Sequence, residues 1–231
     1  MKDEMDNVAP LVREIEAALR NHCTFEIVCV DDGSEDATAD KLRAAKSQCE
    51  ELRVLEHEFC CGQSTATRTG VQGARAPWIV TLDGDLQNPP SEIVKLIVAR
   101  DSCAEQNLAM VAGQRLKRED SLFKKLSSQI ANKARSAVLG DGIRDTGCSL
   151  KLFRRDVFLE LPYFDHMHRF LPALIQRAGG HVITVDVEHR PRATGLTKYG
   201  LGNRLWTGIV DLMGVLWLKR RAKQPIIKEL D

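Results

Sequence analysis

Apolar residues recur at Val8, Leu11, Val12, Ile15, Ala18 and Leu19, with Glu14 and Glu16 between them, the 3.6-residue period of an amphipathic helix. The pattern then changes to short apolar runs that stop at polar turns. Phe25-Glu26-Ile27-Val28-Cys29-Val30 ends at Asp31-Asp32-Gly33-Ser34, Leu52-Arg53-Val54-Leu55 precedes Gly62, and Trp78-Ile79-Val80-Thr81-Leu82 ends at Asp83, each reading as a strand. Helical stretches follow these runs, one from Ser34 or Asp36, either of which suits an N-cap, to about Ser47, one from Gly62 to Gly73, and one from Pro89-Pro90 through Ile93, Leu96 and Ile97. Further strands are expected at 108–113, 149–153 and 182–187, and further helices at 121–139, 169–178 and 201–221. Strands alternating with helices predict an α/β fold whose parallel sheet is covered on both faces. Ligands of such a sheet bind outside the carboxyl ends of its strands. Asp31-Asp32, Asp83-Gly84-Asp85 and Gly113-Gln114-Arg115 are therefore expected to converge on one crevice.

Composition narrows the class. A chain of 231 residues with 43% hydrophobic content can bury one substantial core, so a single main domain is expected. A formal net charge of +1 gives no global field for nucleic acid, and none is expected as a partner. Seven cysteines without C-x-x-C spacing or a matching histidine pair argue against a disulfide framework and a structural zinc site, and fit reduced thiols. The opening Met1-Lys2-Asp3-Glu4-Met5-Asp6 is charged where a signal peptide turns apolar, and no apolar run approaches the roughly 20 residues of a spanning helix.

Two carboxylates one residue apart at a strand end, Asp83 and Asp85, can reach one hard divalent cation whose other positions are filled by phosphate oxygens and water. Alone, such a pair is weak evidence, because strand-to-turn junctions are rich in Asp for backbone reasons. The second acidic turn, Asp31-Asp32-Gly33-Ser34, raises its weight, since a metal and a nucleotide together need two acidic sites.

The residues then become specific. Val28-Cys29-Val30-Asp31-Asp32-Gly33-Ser34, Gly62-Gln63-Ser64 and Val80-Thr81-Leu82-Asp83-Gly84-Asp85-Leu86-Gln87-Asn88-Pro89-Pro90 resemble the family 2 glycosyltransferases of the GT-A fold. The D-G-D-L-Q-x-P-P form is most similar to dolichol-phosphate mannosyltransferases and bacterial polyprenyl-phosphate relatives. The likeness continues through Gly113-Gln114-Arg115, Asp145-Thr146-Gly147-Cys148 and the loop Arg192-Ala193-Thr194-Gly195-Leu196-Thr197-Lys198-Tyr199, over nearly the whole chain.

This resemblance implies a Rossmann-like GT-A domain over residues 1–200, of mostly parallel sheet with helices on both faces. It implies metal-dependent, inverting transfer of mannose, glucose or a similar sugar from a GDP- or UDP-sugar to a dolichyl or undecaprenyl phosphate. Val30 and Asp32 would contact the nucleoside, Asp83 and Gly84 the nucleotide-sugar, and Asp85 and Gln87, with Asp83, an Mg²⁺ or Mn²⁺ ion. Arg115, Arg192 and Lys198 would bind donor diphosphate or acceptor phosphate, with Lys124 and Lys125 on a basic helix holding the incoming phosphate. The acceptor oxygen is already anionic, so with Asp85, Arg115, Arg192 and Lys198 as the catalytic set, no general base is needed and catalysis becomes positioning plus charge stabilisation.

Plainer readings stand beside these. Arg115 also fits a solvated surface cation, and Lys124-Lys125 an ordinary charged helix face without the bidentate fork of arginine. Residues 201–231 read as an amphipathic element packed on the domain or as a helix in a lipid headgroup layer. Trp206, Trp217 and Lys219-Arg220-Arg221 favour the second. That places the chain as a peripheral protein on the cytoplasmic face of a membrane, with room for a membrane-embedded protein partner. Family members begin with an apolar strand ending in a P-x-x-N-E-like turn; here Asp3-Glu4 matches only its tail, with Glu4 in reach of the nucleotide, and the strand itself is expected to be missing. Two rivals follow, a non-catalytic membrane-associated relative and a haloacid dehalogenase-type phosphohydrolase. The latter expects its D-x-D near the N-terminus and Thr or Val where Gln87 stands.

Overall fold

The helical period at the start of the chain is realised as α1 (Val8–Leu19), which turns Val8, Leu11, Val12, Ile15 and Leu19 inward. The computed structural model describes residues 1–115, 135, 136, 138–191, 201–223, 225 and 228, with side chains in the last stretch from 206 onward. After α1 come β1 (Ile27–Asp32), α2 (Thr38–Lys46), β2 (Leu52–His57), α3 (Gln63–Gly73), β3 (Trp78–Thr81) and α4 (Ile93–Ser102). Then follow β4 (Leu108–Arg115), β5 (Lys151–Arg154), α5 (Arg155–Leu159), α6 (Leu171–Arg177), β6 (His181–Val187) and α7 (Leu201–Arg221). Asp36, not Ser34, serves the start of α2: its Oδ1 accepts from the Thr38 amide at 2.9 Å.

The strands form two ladders, β1–β2 and β3–β5–β4–β6. β1 pairs in parallel with β2, and β4 in parallel with β6. β5 lies reversed between β3 and β4, in register Trp78↔Arg154 and Val111↔Leu152. Its direction follows from the route of the chain. β5 re-enters the sheet at the carboxyl end of β4, where the Gly113 amide donates to Leu150 O at 2.9 Å, and can pair only by running back. β3, β4 and β6 therefore point the same way, and their carboxyl ends share one edge.

Met1 lies alongside β1 on the side away from β2. Its amine donates to Val30 O at 2.5 Å, and the Asp32 amide donates to Met1 O at 2.8 Å. Ile27, one of the alternate residues that face β2, instead donates to Glu51 O at 2.9 Å.

Burial divides between two faces. One cluster joins α1, α2, α4 and β1–β2 through residues such as Leu42, Leu52, Leu96, Val111 and Leu152; the other joins Met110, Phe153, Phe158, Leu171, Leu174 and Val215. Sheet faces covered on both sides are what near-continuous apolar runs such as Leu108–Ala112 require.

The last helix packs by one side only. Val215 is fully buried, Arg177 Nε donates to Leu218 O at 2.9 Å, and Asp211 Oδ2 lies 3.1 Å from His166 Nδ1. The opposite side exposes Trp206, Ile209, Val210, Met213 and Trp217, and the helix ends on Lys219, Arg220 and Arg221. Among the described residues no helix is long and apolar enough to cross a membrane.

Candidate active site

Two acidic turns stand at neighbouring strand ends. The first follows β1. Asp31 accepts from the Ser34 amide at 3.3 Å and from its hydroxyl, a local turn that the Asp-x-x-Ser spacing provides. Asp32 faces the loop after β2: its Oδ1 accepts from the Cys61 amide at 2.8 Å and sits 2.7 Å from His57 Nδ1, and its Oδ2 accepts from the Gly62 amide at 2.9 Å and the Cys60 thiol at 3.4 Å. Burial opposes ionisation of Asp32, but these donors outweigh it and hold the carboxyl below its ordinary range. Gly33, at φ +64°, lets the turn close on that loop, for a Cβ there would lie 2.6 Å from Cys60 N. Val30 is buried, its side chain against Gly70 of α3 and its carbonyl on Met1.

The second turn follows β3. Asp83 Oδ1 accepts from Gln63 Nε2 at 2.9 Å, and Asp85 Oδ1 from the Gln87 amide at 3.2 Å. Burial, then the negative charge of Asp85, push the Asp83 carboxyl above its ordinary value, against a hydrogen bond from Ser149 and the charge of Lys151. Two carboxylates and the Gln87 amide are hard oxygen donors at one turn, the set that suits Mg²⁺ or Mn²⁺. The residues present fit such an ion, since the excess negative charge of the pair is what a cation relieves.

Contacts bring the two turns together. Gln63, the first residue of α3, reaches from the Asp32 loop to Asp83. Met1 lies over Gly84, so that a Cβ on that glycine would meet Met1 Cβ at 2.9 Å, with Glu4 Cγ at 3.8 Å. Glu4 itself accepts from Asn7 Nδ2 at 2.5 Å. Arg190 donates its amide to Gln87 O at 2.8 Å and its guanidinium to both oxygens of Glu14, which ties the segment leading to residue 191 to the turn after β3.

Arg115, at the end of β4, is no solvated surface cation. Nε and Nη2 grip Asp145 at 2.6 and 2.8 Å in a bidentate pair, with both side chains largely buried. Lys124, Lys125, Arg192 and Lys198 lie outside the described residues.

The sequence reading gave no role to several residues that shape this crevice. Asp145 and Gln63 stand in segments that carried the family resemblance, and only their contacts reveal their tasks. Lys151 is the buried first residue of β5; its ammonium donates to the carbonyls of Thr146 (3.2 Å) and Cys148, and burial lowers its pKa. His168 Nδ1 lies 2.8 Å from Ser64 Oγ, and burial pushes its pKa down to about 3, so it is neutral. No local pattern marks His57, which comes from the polar end of β2.

The α/β fold, with acidic turns after β1 and β3 joined through Gln63 and Met1, is that of a glycosyltransferase of the GT-A fold. The chain belongs to glycosyl transferase family 2, whose family model matches residues 4–161. It is 34% identical over 230 residues to the dodecaprenyl-phosphate galacturonate synthase of Rhizobium johnstonii, covering 96% of this chain and 66% of that protein. It is likewise 34% identical over 178 residues to the undecaprenyl-phosphate 4-deoxy-4-formamido-L-arabinose transferase of Aeromonas hydrophila, covering 77% and 53%. The chain thus spans about half to two thirds of the length of these relatives. Among solved structures, mannosyl-3-phosphoglycerate synthase from Rubrobacter xylanophilus shares the fold with a TM-score of 0.71 at 15% identity, covering 100% of this chain and 76% of that one. Glucosyl-3-phosphoglycerate synthase from Mycobacterium tuberculosis, in complex with Mn²⁺, UDP-glucose and glycerol 3-phosphate, gives 0.69 at 14%, covering 95% and 77%. The family leaves the phosphohydrolase reading without support.

Proposed function

We propose that this chain transfers a sugar from a GDP- or UDP-sugar to a polyprenyl phosphate, with inversion and with Mg²⁺ or Mn²⁺. The observation that carries the reading is the adjacent carboxylate pair Asp83 and Asp85, linked through Gln63 and Met1 to the Asp32 turn. The names of the relatives, which join a sugar to dodecaprenyl or undecaprenyl phosphate, support the acceptor class.

In this reading Asp83, Asp85 and Gln87 hold the cation, which when bound neutralises charge on the departing diphosphate. Val30 and the Asp32 turn face the nucleoside, with Glu4 beside Gly84. The Asp145 pair fixes the plane of the Arg115 guanidinium at the rim, where it orients a phosphate. Lys124, Lys125, Arg192 and Lys198 complete the phosphate grip. A lipid monophosphate arrives already anionic, so no buried base is required; neutral His168, tied to Ser64, serves packing.

The acceptor is met at a membrane surface. The exposed face of α7, with Trp206, Met213 and Trp217 beside the basic residues 219–221, suits a headgroup layer on the cytoplasmic side. A second reading, binding without turnover, is favoured by one observation: β1 and β3 belong to separate ladders.

The test is transfer of radiolabelled sugar from a panel of GDP- and UDP-sugars into an organic-extractable lipid by purified protein with Mn²⁺ or Mg²⁺. Label in the lipid that disappears in Asp85→Ala supports the transferase. Nucleotide binding without label from any donor selects the non-catalytic reading, and full transfer by Asp85→Ala overturns the metal assignment.

A further inference from the structure

The loop Phe59-Cys60-Cys61 has no part in the transfer just described, although the Cys60 thiol and the Cys61 amide both donate to Asp32, with the Cys61 thiol on Phe59 O at 3.3 Å. Asp32, His57 and Cys61 bring a carboxylate oxygen, an imidazole nitrogen and a sulfur within 4.8 Å of one another. They come from three places, the end of β1, the end of β2 and the loop after it, so no spacing in the sequence announces them. Cys60 Sγ lies 3.4 Å from Asp32 Oδ2, beside the same three atoms.

We propose that Asp32, His57 and Cys61 bind a thiophilic divalent cation of the Zn²⁺ class, at a site separate from the hard-cation pair Asp83 and Asp85. Mixed N, O and S ligation is the chemistry of zinc, whereas the second turn offers only oxygen. Bond lengths of about 2.0–2.3 Å set ligand atoms roughly 3.5 Å apart in a tetrahedron. Side-chain rotations must therefore open the 2.7 Å contact between Asp32 and His57 while bringing the Cys61 sulfur in from within 4.8 Å. Cys61 is half-buried and Cys60 exposed, so the sulfur ligand can adjust without disturbing the core.

The hydrogen-bond pattern supplies the second argument. Two of the four groups on Asp32 are backbone amides, from Cys61 and Gly62, and these anchor the carboxylate whatever else is bound. Of the other two contacts, the one to His57 Nδ1 is opened to a cation by a change of tautomer, and the Cys60 thiol stands beside the site without ligating. The other ring nitrogen, His57 Nε2, lies 2.9 Å from Thr69 Oγ1. A hydroxyl both donates and accepts, so Thr69 accommodates the tautomer change that frees Nδ1 for a metal, and orients the ring as ligand-supporting groups do. On binding, the Cys61 thiol gives up its proton to solvent and the imidazole remains neutral, so metal uptake releases protons.

A consequence follows for the donor. Asp32 is the nucleoside-facing carboxylate of the proposed function, and on that reading a cation held there competes with nucleotide-sugar.

The experiment uses the full chain, reduced and stripped of metal, dialysed against Zn²⁺ and separately titrated with Co²⁺ as an optical probe. One equivalent of Zn²⁺ is expected in the wild type, in Asp85→Ala and in the control Cys23→Ser, with a sulfur-to-cobalt charge-transfer band. Cys61→Ser is expected to lower the affinity tenfold or more and abolish the band, with an unchanged circular dichroism spectrum showing that it folds. No retained Zn²⁺, undiminished binding by Cys61→Ser, or loss of binding in Asp85→Ala instead overturns the site. Adding Mg²⁺ and nucleotide-sugar should weaken Zn²⁺ binding by competition. Binding that requires Cys61 but ignores the nucleotide keeps the cation site and overturns the nucleoside role of Asp32.

Discussion

The acidic turns after β1 and β3 contain the same residue type at equivalent strand ends, yet their electrostatics are opposed. Asp32 is surrounded by two amides, an imidazole and a thiol, and ionises more readily than an ordinary carboxyl despite its burial. Asp83 is half-buried beside another carboxylate and ionises less readily. A strand end thus does not decide what an aspartate does there; the supply of donors from the next loop does. The Asp32 carboxylate is built into the fold, whereas Asp83 is held against the charge of Asp85.

The sharpest way to break this contrast is Asp85→Ala. Transfer to lipid should fall by roughly 100-fold or more, the scale of losing a charge-stabilising group at a reacting centre, with a melting profile close to that of the wild type. Loss of folding instead would show that the second turn is structural like the first. Asp32→Ala comes next, and should destabilise the chain by about 1–3 kcal/mol because buried donors of the 57–62 region lose their acceptor. Urea denaturation followed by circular dichroism measures it, and an unchanged midpoint would equate the two turns.

Asp83→Asn should act with the opposite sign. A carboxyl whose folded pKa is raised contributes stability below its unfolded value, and that contribution is lost as pH rises through the folded value. In metal-free protein near neutral pH the asparagine variant should therefore be the more stable. Its melting temperature should also show less of the decline that the wild type undergoes from acid toward neutral pH, and should gain little from Mg²⁺. The smallest effect belongs to the exposed face of α7. Trp206→Ala and Trp217→Ala should change stability by no more than about 0.5 kcal/mol, as exposed positions do, while weakening sedimentation with anionic lipid vesicles. Vesicle binding equal to that of the wild type would remove α7 from the membrane contact.

Most of the architecture was legible because burial obeys period. Val8 through Leu19 could only be a one-sided helix, and the runs at 27–30, 78–82 and 108–112 could only be strands ending at polar turns. Strand direction has no such signature: the apolar residues of β5 look alike read either way, and only its entry beside Gly113 makes it run backward. The acidic pair was legible for a different reason, since D-x-D with Gln87 is a local pattern. Asp145, His57 and Lys151 acquire their meaning from partners 30, 25 and 5 residues away or from carbonyls, which no local pattern displays. Residues Arg192 to Lys198 were read from a family motif, and their placement lies outside the described chain.

The contact between His166 and Asp211 sets a height. A helix is about 10 Å across with its side chains. If the outer face of α7 rests among headgroups, the inner face carries the loop of His166 roughly one helix diameter above them. His168 in that loop holds Ser64, and the neighbouring Gln63 holds Asp83. On the proposed function, the height of the Asp83 turn above the headgroups is then set by α7, the His166 loop and the start of α3 together, and lengthening the loop between α5 and α6 would raise it.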